Sequence, residues 1–209
     1  MKRRLVLSSV LASSFAVLAG SLTNKFVDVK LAYGLQISIP RTWEVLRGSE
    51  MAAIDTAVGA AIDLSGASRV LSGSESLLAA NFPDADLYAS VSVTAIGVKS
   101  VTPSSASQFT NADIISMQGV MRQGIERLQA AMGTKIWSWS DLIVEQLGSY
   151  KIMRTSYFRS SVLGDTRVQL YKFFGAGRVF DIALSTRASA QAINQSILDR
   201  IIQSVRIPS

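Results

Sequence analysis

The chain has 209 residues, 21 basic and 15 acidic side chains for a net charge of +6, and neither histidine nor cysteine. Without those two residue types it cannot build a Ser-His-Asp or Cys-His catalytic group, a disulfide, or a histidine- or thiolate-based metal site. Its length suffices for one domain with its own core.

Lys2, Arg3 and Arg4 precede an apolar run from Leu5 to Leu18, and Val17 and Ala19 stand where a leader peptidase reads small residues. This pattern predicts a secretory signal peptide over residues 1–19. The run of about 14 residues falls short of the ~20 that span a bilayer. An uncleaved anchor and an ordinary N-terminal helix remain as alternatives. Leu18-Ala19-Gly20-Ser21 approaches a lipoprotein box, but a serine stands where the lipid-bearing thiol belongs. Removal of the leader takes three basic residues with it and lowers the balance from +6 to +3.

Residues 20–33 read as an N-terminal extension with a short strand at Lys25–Leu31, and residues 34–209 as a single domain. Leu35, Ile37 and Ile39 alternate with polar residues up to Pro40, the period-two signature of a half-buried strand. Thr42–Leu46 continues as a second short strand. Met51, Ile54, Val58 and Ile62 predict a helix over residues 49–64, capped by Ser49. A Ser/Gly-rich connection covers residues 65–76. Strands follow at Ser76–Phe82 and Leu87–Ile96, separated by Pro83-Asp84-Ala85-Asp86. Thr110 caps a long helix whose face is traced by Ile114, Met117, Met121, Ile125, Leu128 and Met132, ending at Gly133. Gly119 and Gly124 each cost that helix ~1 kcal/mol relative to alanine, which predicts close approach of another element.

Four strands come next: Ser140–Leu147, Tyr150–Ser160, Thr166–Phe174 and Arg178–Thr186. Gly148-Ser149, residues 162–165 and Gly175-Ala176-Gly177 serve as hairpin turns, so neighbours are antiparallel. A last helix runs from Ser189 as N-cap to Val205, with Ile193, Ile197, Ile201 and Val205 repeating every four residues.

Two segments carry a family resemblance: Leu35-Gln36-Ile37-Ser38-Ile39-Pro40-Arg41-Thr42-Trp43-Glu44 near the start, and Ser196-Ile197-Leu198-Asp199-Arg200-Ile201-Ile202-Gln203-Ser204-Val205-Arg206 at the end. Together with the element order they resemble the PsbP-like superfamily, which includes DcrB-type bacterial envelope proteins. The resemblance implies an α+β fold, a central antiparallel sheet flanked by helices on both faces (a PsbP-like α/β/α sandwich). It implies core roles for Trp43 and the Ile197/Ile201/Val205 face. It also implies an accessory or binding protein rather than an enzyme. The metal sites of some members include histidine, so no metal or other cofactor is carried over.

No catalytic spacing is present. Ser138-Trp139-Ser140-Asp141 sets a serine near an acid without a base, and Gly175-Ala176-Gly177 reads as a turn rather than a phosphate cradle. Asn81, Asp84 and Asp86 cluster oxygen ligands, but their number suits a turn better than a calcium loop. Trp137 and Trp139, two apart, share one face of an extended segment; they anchor a partner or else shield the sheet beneath the preceding helix. Residues 146–209 carry nine basic and three acidic side chains, whereas residues 20–145 carry nine and twelve. Lys151, Arg154, Arg159, Arg167, Lys172 and Arg178 supply that bias, facing an anionic partner or simply solvent.

The expected function is a non-enzymatic, exported accessory or protein-binding domain of the bacterial cell envelope, periplasmic or secreted. Trp137, Trp139, Lys151, Arg154, Arg159, Arg167 and Lys172 are its expected partner-binding residues. The partner is a protein; nucleic acid and stable membrane insertion are not expected. An immunity-type inhibitor of a secreted toxin and a histidine-independent hydrolase are the alternatives.

Overall fold

A computed structural model describes residues 25–46, 74–160 and 164–208. The leader at 1–19, the helix expected over 49–64 and part of the turn at 162–165 lie outside the described residues.

The alternation in Leu35-Gln36-Ile37-Ser38-Ile39 does what its period requires: Leu35, Ile37 and Ile39 are fully buried while Gln36 is exposed. This segment, β2 (Gln36–Pro40), pairs antiparallel with β1 (Phe26–Lys30) as a separate two-stranded ribbon. Phe26, Val27, Val29 and Leu31 pack on the same core, so residues 26–31 are tied into the folded body.

The main sheet contains β3 (Glu44–Val45), β4 (Ser74–Asn81), β5 (Ala89–Gly97), β6 (Ile136–Trp139), β7 (Ile143–Leu147), β8 (Tyr150–Arg159), β9 (Thr166–Gly175) and β10 (Arg178–Arg187). Its order is β3-β4-β5-β10-β9-β8-β6, with β7 also paired to β8, and every pairing is antiparallel. The links between β8, β9 and β10 are short; Gly177, at φ +69°, adopts the left-handed backbone that the β9–β10 turn requires. Among the described residues two α-helices accompany the sheets in an α+β fold, α1 (Asn111–Ala131) and α2 (Gln191–Gln203).

Alternation along the central strands feeds two apolar clusters. Phe173, Phe180, Ile182 and Leu184 join Leu198 and Ile201 of α2, together with Ile37 and Ile39 of β2. Phe174, Val179, Met153 and Leu142 form the second cluster, against which Ile114, Met117 and Met121 of α1 lie half-buried. Neighbours such as Phe173 and Phe174 therefore belong to different clusters. Each fully buried large side chain contributes ~1.5–3 kcal/mol, so the first cluster, with the larger number of fully buried side chains, dominates stability.

Five expectations are corrected. The strand expected from Ser140 begins only at Ile143, as β7; an unexpected strand, β6 at Ile136–Trp139, precedes a break at 140–142, where the Ser140 hydroxyl accepts from the Ser156 amide at 2.7 Å. The last helix starts at Gln191 after a 3₁₀ turn, and Ser189 makes no cap. Ile193 is 58% exposed: a strict four-residue repeat drifts ~40° per step around a 3.6-residue helix, so the stripe rotates off the core by its first member. Met132 is likewise half-exposed rather than buried. Finally, among the described residues no element closes on Gly119 or Gly124; a Cβ added at either meets nothing there within 4 Å.

No helix among the described residues is long and apolar enough to cross a membrane.

Candidate functional site

The seven expected partner-binding residues do not form one surface. On β8, Arg154, Ser156 and Phe158 share one face, in register with Tyr171, Gln169 and Arg167 of β9. Met153, Thr155, Tyr157 and Arg159 point the other way.

The two tryptophans illustrate the split. The pairing of β6 with β8 shifts register between Ile136 and Ser138, so Trp137 and Ser138 both oppose Phe158. This bulge resets the alternation. Trp137 stacks on Phe158 at 4.9 Å between ring centroids, whereas Trp139 packs on Tyr157 at 4.7 Å on the opposite face. Trp139 is held to α1: its Nε1 donates to Glu126 at 2.9 Å, and the Arg122 guanidinium lies 5.6 Å over its ring. It shields the sheet beside the helix. Trp137 is 54% exposed. The single face expected from the two-residue spacing is thus corrected by one extra residue in the edge strand.

The basic residues divide in the same way. Lys172 is locked to Asp181 at 2.6 Å, and Arg159 donates to the buried Gln129 at 2.7 Å. Both lie on the α1 side with Trp139, and Lys151 extends from that side of β8 into solvent. Arg154 and Arg167 lie on the α2 side with Trp137. Arg178 stacks on Tyr33 with its guanidinium 3.5 Å from the ring centroid, away from the others.

The α2 side therefore gathers the densest set of recognition groups. Beside α2 lies a 330 Å³ hollow lined by Glu145, Arg154, Arg167, Tyr171, Gln195 and Asp199. Arg154 pairs with Glu145 at 2.7 Å; both are about one-third exposed, so the pair fixes geometry and adds ~0–1 kcal/mol. Arg167 donates to Gln195 at 3.4 Å, and Gln195 donates onward to Asp199 at 2.7 Å. Gln169 donates to the Tyr171 hydroxyl at 3.2 Å. Burial pushes the Tyr171 hydroxyl above its ordinary pKa, against the pull of the Arg154 charge. It stays protonated at neutral pH, a hydrogen-bonding group and not a base. Phe158, opposite Arg167 in the β8–β9 register, and the Trp137 ring stacked on it lie outside this hollow on the same face.

Phe158, Tyr171 and Gln195 were missed in the sequence. Phe158 follows Tyr157, so adjacent rings face opposite ways, but only the register with β9 shows which ring meets Arg167.

The other clusters have structural roles. Asp84 accepts from the amides of Asp86 and Leu87 at 2.8 and 3.2 Å, closing its own turn, and Asp86 pairs with Arg187 at 3.0 Å. Among the described residues no group of three or more carboxylate, histidine or cysteine side chains is placed to hold a metal ion.

No family model matches the sequence, and no curated protein does. Solved structures do match. Cyanobacterial PsbP from Synechocystis sp. PCC 6803 superposes with a TM-score of 0.52 at 12% identity, over 90% of this chain and 96% of that one. The Ran-binding protein Mog1p of Saccharomyces cerevisiae matches at 0.46 and 10% identity, over 88% and 96%. LpqN of Mycobacterium tuberculosis, described as involved in cell envelope biogenesis, matches at 0.43 and 11% identity, over 88% and 91%. The chain has a PsbP-like fold.

Proposed function

We propose that this chain is an exported, non-enzymatic accessory domain of the bacterial envelope that docks a protein partner on the α2 side of its sheet. The observation that carries the reading is Trp137, more than half exposed and stacked flat on Phe158, beside Arg167. Tryptophan, tyrosine and arginine dominate the energetics of protein interfaces, because they bring large area and hydrogen bonding at modest entropic cost. Here the rings are already stacked and the guanidinium of Arg154 is already oriented by Glu145. Less ordering is left for binding to complete.

The absence of histidine and cysteine from the sequence supports a contact role over a catalytic one. So does the Ser140 hydroxyl, which meets a backbone amide and neighbouring hydroxyls instead of a base. The charged start and apolar run of residues 2–18 support export to the periplasm or beyond. We further read the architecture as an α/β/α sandwich; its support is that alternate residues of β9 and β10 serve the α1 and α2 clusters. Fold likeness names no partner.

Affinity capture from envelope extracts tests the proposal. A protein retained by the wild type and by Ile115→Ala, but lost with the double variant Trp137→Ala/Arg167→Ala, supports it. Ile115 is exposed on α1. Equal retention by all three forms, or none above a blank resin, sinks it. A retained secreted toxin would narrow the reading to an immunity-type inhibitor.

A further inference from the structure

The α1 side of the sheet holds a second feature of different chemistry. Among the described residues, the side-chain hydrogen bonds of helix α1 to the sheet run along one edge. Gln118 accepts from the Leu142 amide at 2.7 Å, Arg122 donates to the Ser140 carbonyl at 3.0 Å, Glu126 takes the Trp139 indole, and Gln129 takes Arg159. These residues recur at three- and four-residue spacing, a single row facing the broken edge strand. Ile114, Met117 and Met121 reach the second core cluster; C-terminal to them the helix leaves space above the sheet. Of its residues only Gln129 is buried, and Gly124 lines open space.

Between helix and sheet lies a 410 Å³ cavity. Its roof is Met117, Met121, Gly124 and Leu128; its floor is Leu170 and Met153. Three methionines give it a soft, adaptable wall. The charged groups at its floor, Lys172 and Asp181, neutralise each other at 2.6 Å and leave no net charge to attract an ionic ligand. Cavities of this size with few polar groups take small apolar ligands.

We propose that this cavity binds one unbranched acyl chain. Two dimensions agree on the ligand. From Ser116 to Leu128 the lined stretch of α1 rises about 18 Å at 1.5 Å per residue, so the space is elongated. A methylene is about the size of a water, whose share of liquid volume is roughly 30 Å³. The cavity therefore accepts about a dozen methylenes in single file. The missing Cβ at Gly124 leaves the chain room beneath the helix midpoint. The site lies across the sheet from the Trp137 surface and is independent of the protein-binding reading.

The test is calorimetric titration of the full processed chain with sodium myristate and, separately, lysophosphatidylcholine, both below micelle formation. Methyl NMR of its methionines is read in parallel. The expected result is saturable one-to-one binding to at least one ligand, with shifts and ligand contacts at Met117, Met121 and Met153. Myristate alone points to a free fatty acid, lysophosphatidylcholine to a lipid-borne chain. Gly124→Phe, which fills the space, is expected to weaken binding at least tenfold. Should that variant unfold, Val120→Asp replaces it: Val120 is 56% exposed at the rim and tolerates a charge. Three results overturn the proposal: no saturable binding to either ligand, affinity unchanged in the folded variant, or methionine contacts to residues 47–73 that neither ligand displaces.

Discussion

Replacing Gly119 and Gly124 by alanine isolates the packing of α1. Glycine inside a helix costs ~0.8–1.0 kcal/mol relative to alanine, and the cost is recovered only where the new methyl has room. At both positions an added Cβ meets nothing within 4 Å, and neither residue has positive φ. The two sites lie five residues apart with no shared contacts and add nearly independently. Their sum is ~2 kcal/mol, and a domain of this size gains ~2–4 °C per kcal/mol. The double variant is therefore expected to melt ~4–8 °C higher by circular dichroism. Gly175→Ala is the control: its Cβ would lie 3.1 Å from Phe180 and 3.3 Å from Ile207, both buried, so it is expected to melt lower. An unchanged or lowered midpoint for the Gly119/Gly124 variant would show that another element closes on α1, and would refute the reasoning about its open underside.

Two further outcomes follow from local geometry. Asn194, buried in α2, donates to the Leu87 carbonyl at 3.0 Å and to the Thr186 hydroxyl at 2.9 Å. Asn194→Ala strands these groups and should cost ~1–3 kcal/mol, read from the shift in urea midpoint. Asp113 closes the capping box of α1, and the hydrogen bonds from the Thr110 side chain and backbone hold its carboxyl below the ordinary aspartate pKa. A depressed acid stabilises the fold when ionised. Its contribution is complete above the ordinary aspartate pKa and vanishes as pH falls through the lower folded value. Asp113→Asn should flatten that acid-side loss of α1 protection in hydrogen exchange; an unaltered pH profile would show that the cap is not the cause.

What could be read from the residues was whatever depends on neighbours in sequence. The alternation of Leu35, Ile37 and Ile39, the Thr110 cap and the turn between β9 and β10 are local rules, and they appear where expected. What depended on distant partners was hidden. Nothing local says that β5 pairs with β10 some ninety residues on. The bulge at Ile136–Ser138 is one residue in an edge strand, yet it sends Trp137 and Trp139 to opposite faces. The stripe of methionines and isoleucines on α1 correctly marks a helix. Its periodicity cannot show that the helix's side-chain hydrogen bonds to the sheet run along one edge and that its C-terminal part leaves space above the sheet.

The central claim is that the surface around Trp137 meets a protein. A photoreactive residue placed at position 137, and another at Ile115 as the reference on α1, tests it most directly in intact cells. The account predicts a discrete protein adduct from position 137, absent from position 115 and lost when Arg167 is changed to alanine. Adducts of equal yield at both positions, or none at 137, would contradict it.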